Sequence, residues 1–129
     1  MTLFSKIING EIPCHKITEN ERFFAFLDVN PLVSGHTLVI PKLEIDYIFD
    51  MEANMLGDMF IFSQKIAIAI KKAIPCVKVG IAVIGLEVPH VHIHLVPMQS
   101  VLDINFTKPK LKLSDTELEN TRLKILAHL

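Results

Sequence analysis

Pro89-His-Val-His-Ile-His-Leu-Val-Pro97 is the stretch that decides how this chain of 129 residues is read. Three histidines stand at every second position, spaced by Val91 and Ile93, followed by Leu95 and Val96, and bounded by a proline at each end. Such a run predicts a short strand. Because a strand alternates its faces, His90, His92 and His94 emerge on one side about 7 Å apart, while Val91, Ile93 and Leu95 point to the core. Three chemistries fit the row. A solvated face that happens to be rich in histidine is the plainest. Metal ligation is the second, since two histidines in His-x-His spacing can share a zinc ion with a ligand from elsewhere. In the third, one neutral imidazole attacks phosphorus while its neighbours orient it and handle protons.

The rest of the chain narrows the setting. At this length one domain, 1–129, is expected, large enough to bury a core without disulfides or metal staples. Half of the residues are hydrophobic and the mean hydropathy is +0.42, which implies apolar surface covered by a partner, most simply a second copy. The formal net charge is −1, from 13 basic and 14 acidic residues. No overall field draws the protein to nucleic acid or to an anionic membrane. The single basic cluster, Lys108-Pro-Lys-Leu-Lys112, reads as an exposed extended segment or edge strand kept soluble by its lysines. Cys14 and Cys76 form no Cys-x-x-Cys pair, so neither a zinc pattern nor a disulfide framework is suggested, and free thiols fit a cytoplasmic setting. The N-terminus has none of the marks of a signal peptide. The longest apolar region, Met55 to Ile74, is interrupted by charged and polar residues and is no membrane span.

Around the histidine run the pattern is mixed. Phe4 to Gly10 predicts a short helix closed by a glycine cap. Lys16-Ile-Thr18 and Arg22 to Val29 predict a hairpin across Glu19-Asn-Glu21. Thr37-Leu-Val-Ile40 is a strand buried on both faces, entered through Ser34-Gly35. Met55 to Ile74 carries apolar residues at Met55, Met59, Phe62, Ile66, Ile70 and Ala73, a helical stripe that Leu56, Phe60, Ile61 and Ile68 widen. Val77 to Ile84 returns as a strand, and Gly85-Leu-Glu-Val-Pro89 delivers the histidines. Ser114-Asp-Thr-Glu117 is a capping box opening a last helix, with Leu118, Arg122, Ile125 and Leu129 on one side. His128 falls on its surface. The fold class is α+β, with about five antiparallel strands, one long helix and one C-terminal helix.

The sequence resembles the histidine triad (HIT) family of nucleotide hydrolases and transferases, whose pattern is His-x-His-x-His-x-x with x apolar. Phe4 to Pro13, Ala25-Phe-Leu-Asp-Val-Asn-Pro31 and Gly35-His-Thr-Leu-Val-Ile-Pro-Lys42 look like the family's other blocks, in the same order. The resemblance implies half-barrel subunits pairing into a homodimer, with a purine nucleotide bound beside the triad. It implies that His92 attacks the α-phosphorus of a nucleoside 5′-phosphoramidate or adenylate, forming a nucleotidyl-histidine that water resolves. His94 would contact the phosphate or leaving group, His90 would support the network, and His36 would be a fourth imidazole. Asp28 matches a residue binding the ribose hydroxyls, and Val29 one lining the base pocket. A nucleotide-binding protein with little catalysis is the rival implied by the same blocks. No cofactor is expected.

Three departures from the family pattern stand out. Zinc-containing relatives have two cysteines near the N-terminus, where this chain has Thr2 and Ser5, and a histidine where it has Glu44. No structural zinc is expected. The loop before the triad lacks the usual asparagine, and Glu87 falls where a hydroxyl often meets phosphate. Either the backbone N–H groups of Gly85, Leu86 and Glu87 take the phosphate with the carboxylate turned away, or Glu87 with a raised pKa donates a proton. A solvated loop glutamate is the third possibility.

Overall fold

Phe23 to Leu27 and Thr37 to Pro41 bury every residue, so each strand needs cover on both of its faces. In the computed structural model, which describes residues 1–129, they lie inside a five-stranded antiparallel sheet. Its strands are β1 (Lys16–Glu19), β2 (Phe23–Leu27), β3 (Thr37–Pro41), β4 (Lys78–Ala82) and β5 (Ile93–Met98). The spatial order is β1-β2-β3-β5-β4. One helix, α2 (Ala53–Ala73), makes the long excursion between β3 and β4.

Alternation along the strands sorts the core into two layers. Phe23, Ala25, Leu27, Val39, Ile93 and Leu95 point to one face, where they meet Met59, Ile66 and Ile70 of α2 and Leu118 and Ile125 of α3 (Asp115–Leu126). The opposite face carries Phe24, Phe26, Leu38 and Ile40, covered by Phe4 and Ile7 of α1 (Leu3–Ile8). Registers place Leu38 and Ala82 on either side of His94. His94 is thereby fixed mid-sheet, between two paired strands.

The histidine run departs from a continuous strand. Pairing begins only at Ile93, because the backbone before it is directed elsewhere. His90 N–H donates to Val88 O at 2.8 Å and Val91 N–H to Ile45 O at 2.7 Å, which leaves neither residue available to a neighbouring ladder. Val91 still reaches the main core beside Ile93 and Leu95. The alternation of faces therefore survives where the strand does not.

Other boundaries follow the chemistry of their ends. α1 stops at Ile8, with Gly10 at φ +80° just beyond it. Gly35 adopts φ +96° in the turn into β3, and a Cβ there would lie 3.1 Å from Ile74 Cγ1, so turn and packing both require glycine. Ser114 Oγ caps α3 by accepting from Glu117 N–H at 3.1 Å. The buried side of α3 is Leu118, Thr121 and Ile125. Leu129, expected on that side, lies past the helix end and is half exposed. On α2 the buried line is Met59, Ser63, Ile66, Ala69 and Ile70, while Phe60, Ile61 and Ile68 face outward. Ser63 satisfies its hydroxyl on Met59 O at 2.9 Å. The cluster Lys108–Lys112 is exposed and joins no strand.

No helix is long and apolar enough to cross a membrane. The stacking of α2 on the sheet should dominate stability. Truncating Ile70→Ala in this closed layer should cost about 3 kcal/mol, read as a lower urea midpoint with an unchanged slope.

Candidate active site

Four imidazoles gather on the sheet face that α1 partly covers. His36, His90, His92 and His94 are all buried, His90 completely. A solvated histidine face is thereby overturned. His92 and His94 lie with ring centres 4.8 Å apart, and His36 and His94 with centres 5.2 Å apart. Phe4 stands edge-on to His92 and His90, at 5.0 and 5.8 Å.

Each ring has a partner that decides where its proton sits. Leu32 N–H donates to His36 Nδ1 at 3.0 Å, so a neutral His36 carries its proton on Nε2. That proton points at His94 Nδ1, 2.9 Å away. His94 accepts there and must hold its own proton on Nε2. His92 donates from Nδ1 to His90 O at 2.7 Å, which leaves a lone pair on its Nε2. No fully enclosed side-chain nitrogen or oxygen lacks a partner. The unpartnered Nε2 atoms of His92 and His94 therefore open to solvent. The site presents a bare nitrogen lone pair beside an N–H donor.

Burial favours the neutral form of His36, His94 and His92. It pulls His36 down to about 4, helped by the charges of Lys110 and His92, and His94 down to about 3, helped by His92 and His36. His92 is also lowered by burial, though the His90 carbonyl and the carboxylates of Asp28 and Glu87 act the other way. Burial raises the Asp28 carboxyl, opposed by the N–H of Asn30. Asp28 Oδ1 accepts from that N–H at 2.9 Å, closing the turn that follows β2. Its Oδ2 lies 3.7 Å from His36 Nε2.

Asp28, His36 and His94 come close enough to suggest a cation site. The proton order argues against it. Between His36 Nε2 and His94 Nδ1 there is one lone pair, and the His36 proton already occupies it. Freeing His36 Nε2 for a metal would move its proton to Nδ1, against the Leu32 N–H.

His90 is tied to the N-terminus. Its Nε2–H donates to Pro41 O at 2.8 Å, and its Nδ1 meets Thr2 Oγ1 at 2.7 Å. Thr2 Oγ1 also accepts from Ser5 N–H, and Glu44 Oε1 accepts from Thr2 N–H and from Ser5 Oγ at 2.6 and 2.7 Å. Thr2, Ser5 and Glu44, the positions matched to zinc ligands, thus converge with His90. Two hydroxyls and a carboxylate engaged in hydrogen bonds do not form the thiolate-rich set that a structural zinc requires.

Val29 is half exposed. It lines an open cleft of about 640 Å³ between Pro13, Cys14 and His15 and the first two turns of α3. The cleft begins one residue from Asp28 and includes none of His36, His90, His92 and His94. In the loop before the triad, Gly85 has φ +71°, Leu86 is 90% exposed and Glu87 is exposed. The N–H groups of Gly85, Leu86 and Glu87 donate to no backbone carbonyl. They remain available to a ligand.

The HIT domain family matches residues 9–101 of the chain. The chain belongs to the HIT family. An uncharacterised HIT-like protein of Helicobacter pylori is 43% identical over 99 residues, spanning 74% of this chain and 94% of its own. The adenosine 5′-monophosphoramidase of Saccharomyces cerevisiae is 35% identical over 96 residues, covering 74% of this chain and 61% of the yeast protein. Among solved structures, a HIT-like protein of Bartonella henselae superposes with a TM-score of 0.87 at 31% identity, covering 99% of this chain and 96% of that one.

Two residues of this HIT site carry no sequence motif. Phe106 sets its ring centre 4.6 Å from that of His94 and 6.3 Å from that of His36. Lys110 places Nζ 5.5 Å from the centre of the Phe106 ring. One signal was available for the first. Phe106 is the lone aromatic residue after Phe62.

The depressed imidazoles give folding a defined pH dependence. Between their ordinary value near 6.5 and the folded values of about 4 and about 3, the unfolded chain binds more protons. Stability from His36 and His94 should be complete above pH 6.5 and fall as pH drops toward 4. Asp28 acts in the opposite sense at the acid end. Urea titrations at stepped pH should show the loss beginning below 6.5. His36→Gln, which removes one of the two groups, should flatten the slope.

Proposed function

We propose that this HIT protein is a nucleotide hydrolase, acting on a purine nucleoside 5′-phosphoramidate or adenylate through a nucleotidyl-histidine formed on His92. The observation that carries this reading is the pairing of an open His92 Nε2 lone pair with the open Nε2–H of His94. The name of the yeast relative as an adenosine 5′-monophosphoramidase supports the substrate class.

The steps follow from the proton order. His92 Nε2 attacks the α-phosphorus, forming an N–P bond as the bond to the leaving group breaks. The positive charge that develops on the ring is stabilised by the His90 carbonyl at Nδ1–H. His94 Nε2–H donates a hydrogen bond to the departing atom, which takes its proton from solvent water, while His36 holds the opposite nitrogen of that ring in place. Water then attacks phosphorus, releases the nucleoside monophosphate and restores His92. A neutral attacking imidazole needs no separate base, and the burial of His92 favours that neutral form. Asp28 accepts from two ribose hydroxyls, and Val29 borders the base. Gly85, Leu86 and Glu87 offer backbone N–H groups to the phosphoryl oxygens.

A second copy completes the particle in this reading. β4 is an edge strand whose outer side is unpaired, and Ile81 on it is half exposed, as are Ile61 and Ile68 of α2. Pairing two β4 edges would cover them. Light scattering should give a dimer mass, and Ile81→Lys should give a monomer.

One observation favours the rival of a binding protein with little turnover: the Glu87 carboxylate acts electrostatically on His92, where it opposes an anionic substrate. Turnover decides between them. Rapid quench with labelled adenosine 5′-phosphoramidate should trap AMP on His92, and His92→Ala should lose at least about a thousandfold in kcat. Turnover by His92→Ala at the original rate would refute the mechanism. Tight AMP binding with no turnover would select the rival.

A further inference from the structure

The proposed reaction brings an anionic phosphoryl group among residues that supply no positive charge. His36 and His94 are held neutral, Asp28 adds one carboxylate, and Glu87 adds another whose charge acts on His92. An anion entering this end of the sheet needs a cation. Neither the histidine run nor the loop from Gly85 to Pro89 contains a lysine or arginine.

A strap formed by the chain between β5 and α3 brings one. Leu111 N–H donates to Pro31 O at 2.9 Å, tying the strap to the loop that carries Asp28. Leu113 packs against the main core. Between these anchors and β5, the Phe106 ring lies against His94 and His36. Lys110 Nζ donates to Phe106 O at 2.7 Å and sits near the Phe106 ring. It is the one lysine or arginine whose charge is felt at Asp28, His36 and His94 together. Lys108 is engaged elsewhere, its Nζ donating to Leu102 O at 3.2 Å.

Resting on the function proposed above, we infer that Lys110 binds the phosphoryl group of the nucleotide at His92, and that Phe106 is the positioning residue that sets it beside His94. The strap supplies the charge that the loop before the triad lacks. One hydrogen bond to a carbonyl leaves the ammonium two further donors. That bond and the ring also restrict the long side chain before a ligand arrives, which lowers the entropy lost on binding. A basic cluster that reads as a solvated surface in sequence thus divides by function. Lys110 faces the substrate, and Lys108 holds the strap.

The test separates charge recognition from a general change in the site. AMP and adenosine are titrated by calorimetry into the unaltered protein, Lys110→Ala, Lys110→Arg and Lys112→Ala, at two salt concentrations. Lys110→Ala should weaken AMP about tenfold and leave adenosine unchanged, with a shallower salt dependence for AMP. Lys110→Arg should recover most of the loss, and Lys112→Ala should match the unaltered protein. Lys110 is exposed, so the variants should keep the thermal midpoint of the parent. Unchanged AMP affinity in Lys110→Ala overturns the inference, as does an equal loss for AMP and adenosine. If the unaltered protein binds neither ligand, the proposed function falls as well. If it binds AMP and turns over the phosphoramidate while Lys110→Ala is unaltered, only the role of Lys110 falls.

Discussion

The N–H of Leu32 points at His36 Nδ1, and that single donor fixes the protons of two buried imidazoles. With Nδ1 occupied, His36 must carry its proton on Nε2, where it meets His94 Nδ1. His94 must then present an N–H outward. Had Leu32 offered an acceptor instead, both tautomers would reverse and His94 would expose a lone pair. Burial makes the arrangement durable, since it holds His36 and His94 far below the range in which either would gain a second proton near neutrality. The proton order of His36 and His94 is therefore set by a backbone amide four residues before His36.

The N-terminal segment and the connection between β5 and α3 both return to this face of the sheet. The N-terminus enters through Thr2 and Ser5, whose hydroxyls and Glu44 form a hydrogen-bonded group around His90. His90 in turn offers its carbonyl to His92. The order of contacts runs from helix cap to support histidine to the ring with the open lone pair. From the other side, the strap anchored at Pro31 sets Phe106 against His94. A rigid central strand holds His94 between these two approaches, because pairing to β3 and β4 fixes its backbone on both sides.

Period-two alternation made the core legible from sequence. Val91, Ile93 and Leu95 reach the main core as their spacing requires, and Thr37 to Ile40 is buried on both faces. The four histidines do converge on one face. The strand itself was overextended, because nothing in the letters says that Val91 N–H would bond to Ile45 O across the chain. Likewise, Lys110 and Lys112 are indistinguishable in composition, and only the crossing of the strap over the sheet gives one of them an influence at His36 and His94.

Sequence alone determined the antiparallel α+β class, the face shared by the imidazoles and membership of a family with the HIT pattern, because periodicity and ordered motifs are local properties of the chain. Tertiary structure decided which ring nitrogen carries each proton, how Thr2, Ser5 and Glu44 meet His90, and which residues of the C-terminal strap lie over the triad. Those outcomes depend on hydrogen-bond partners and fields supplied by residues far apart in sequence. Their geometry exists only once the sheet has brought them together.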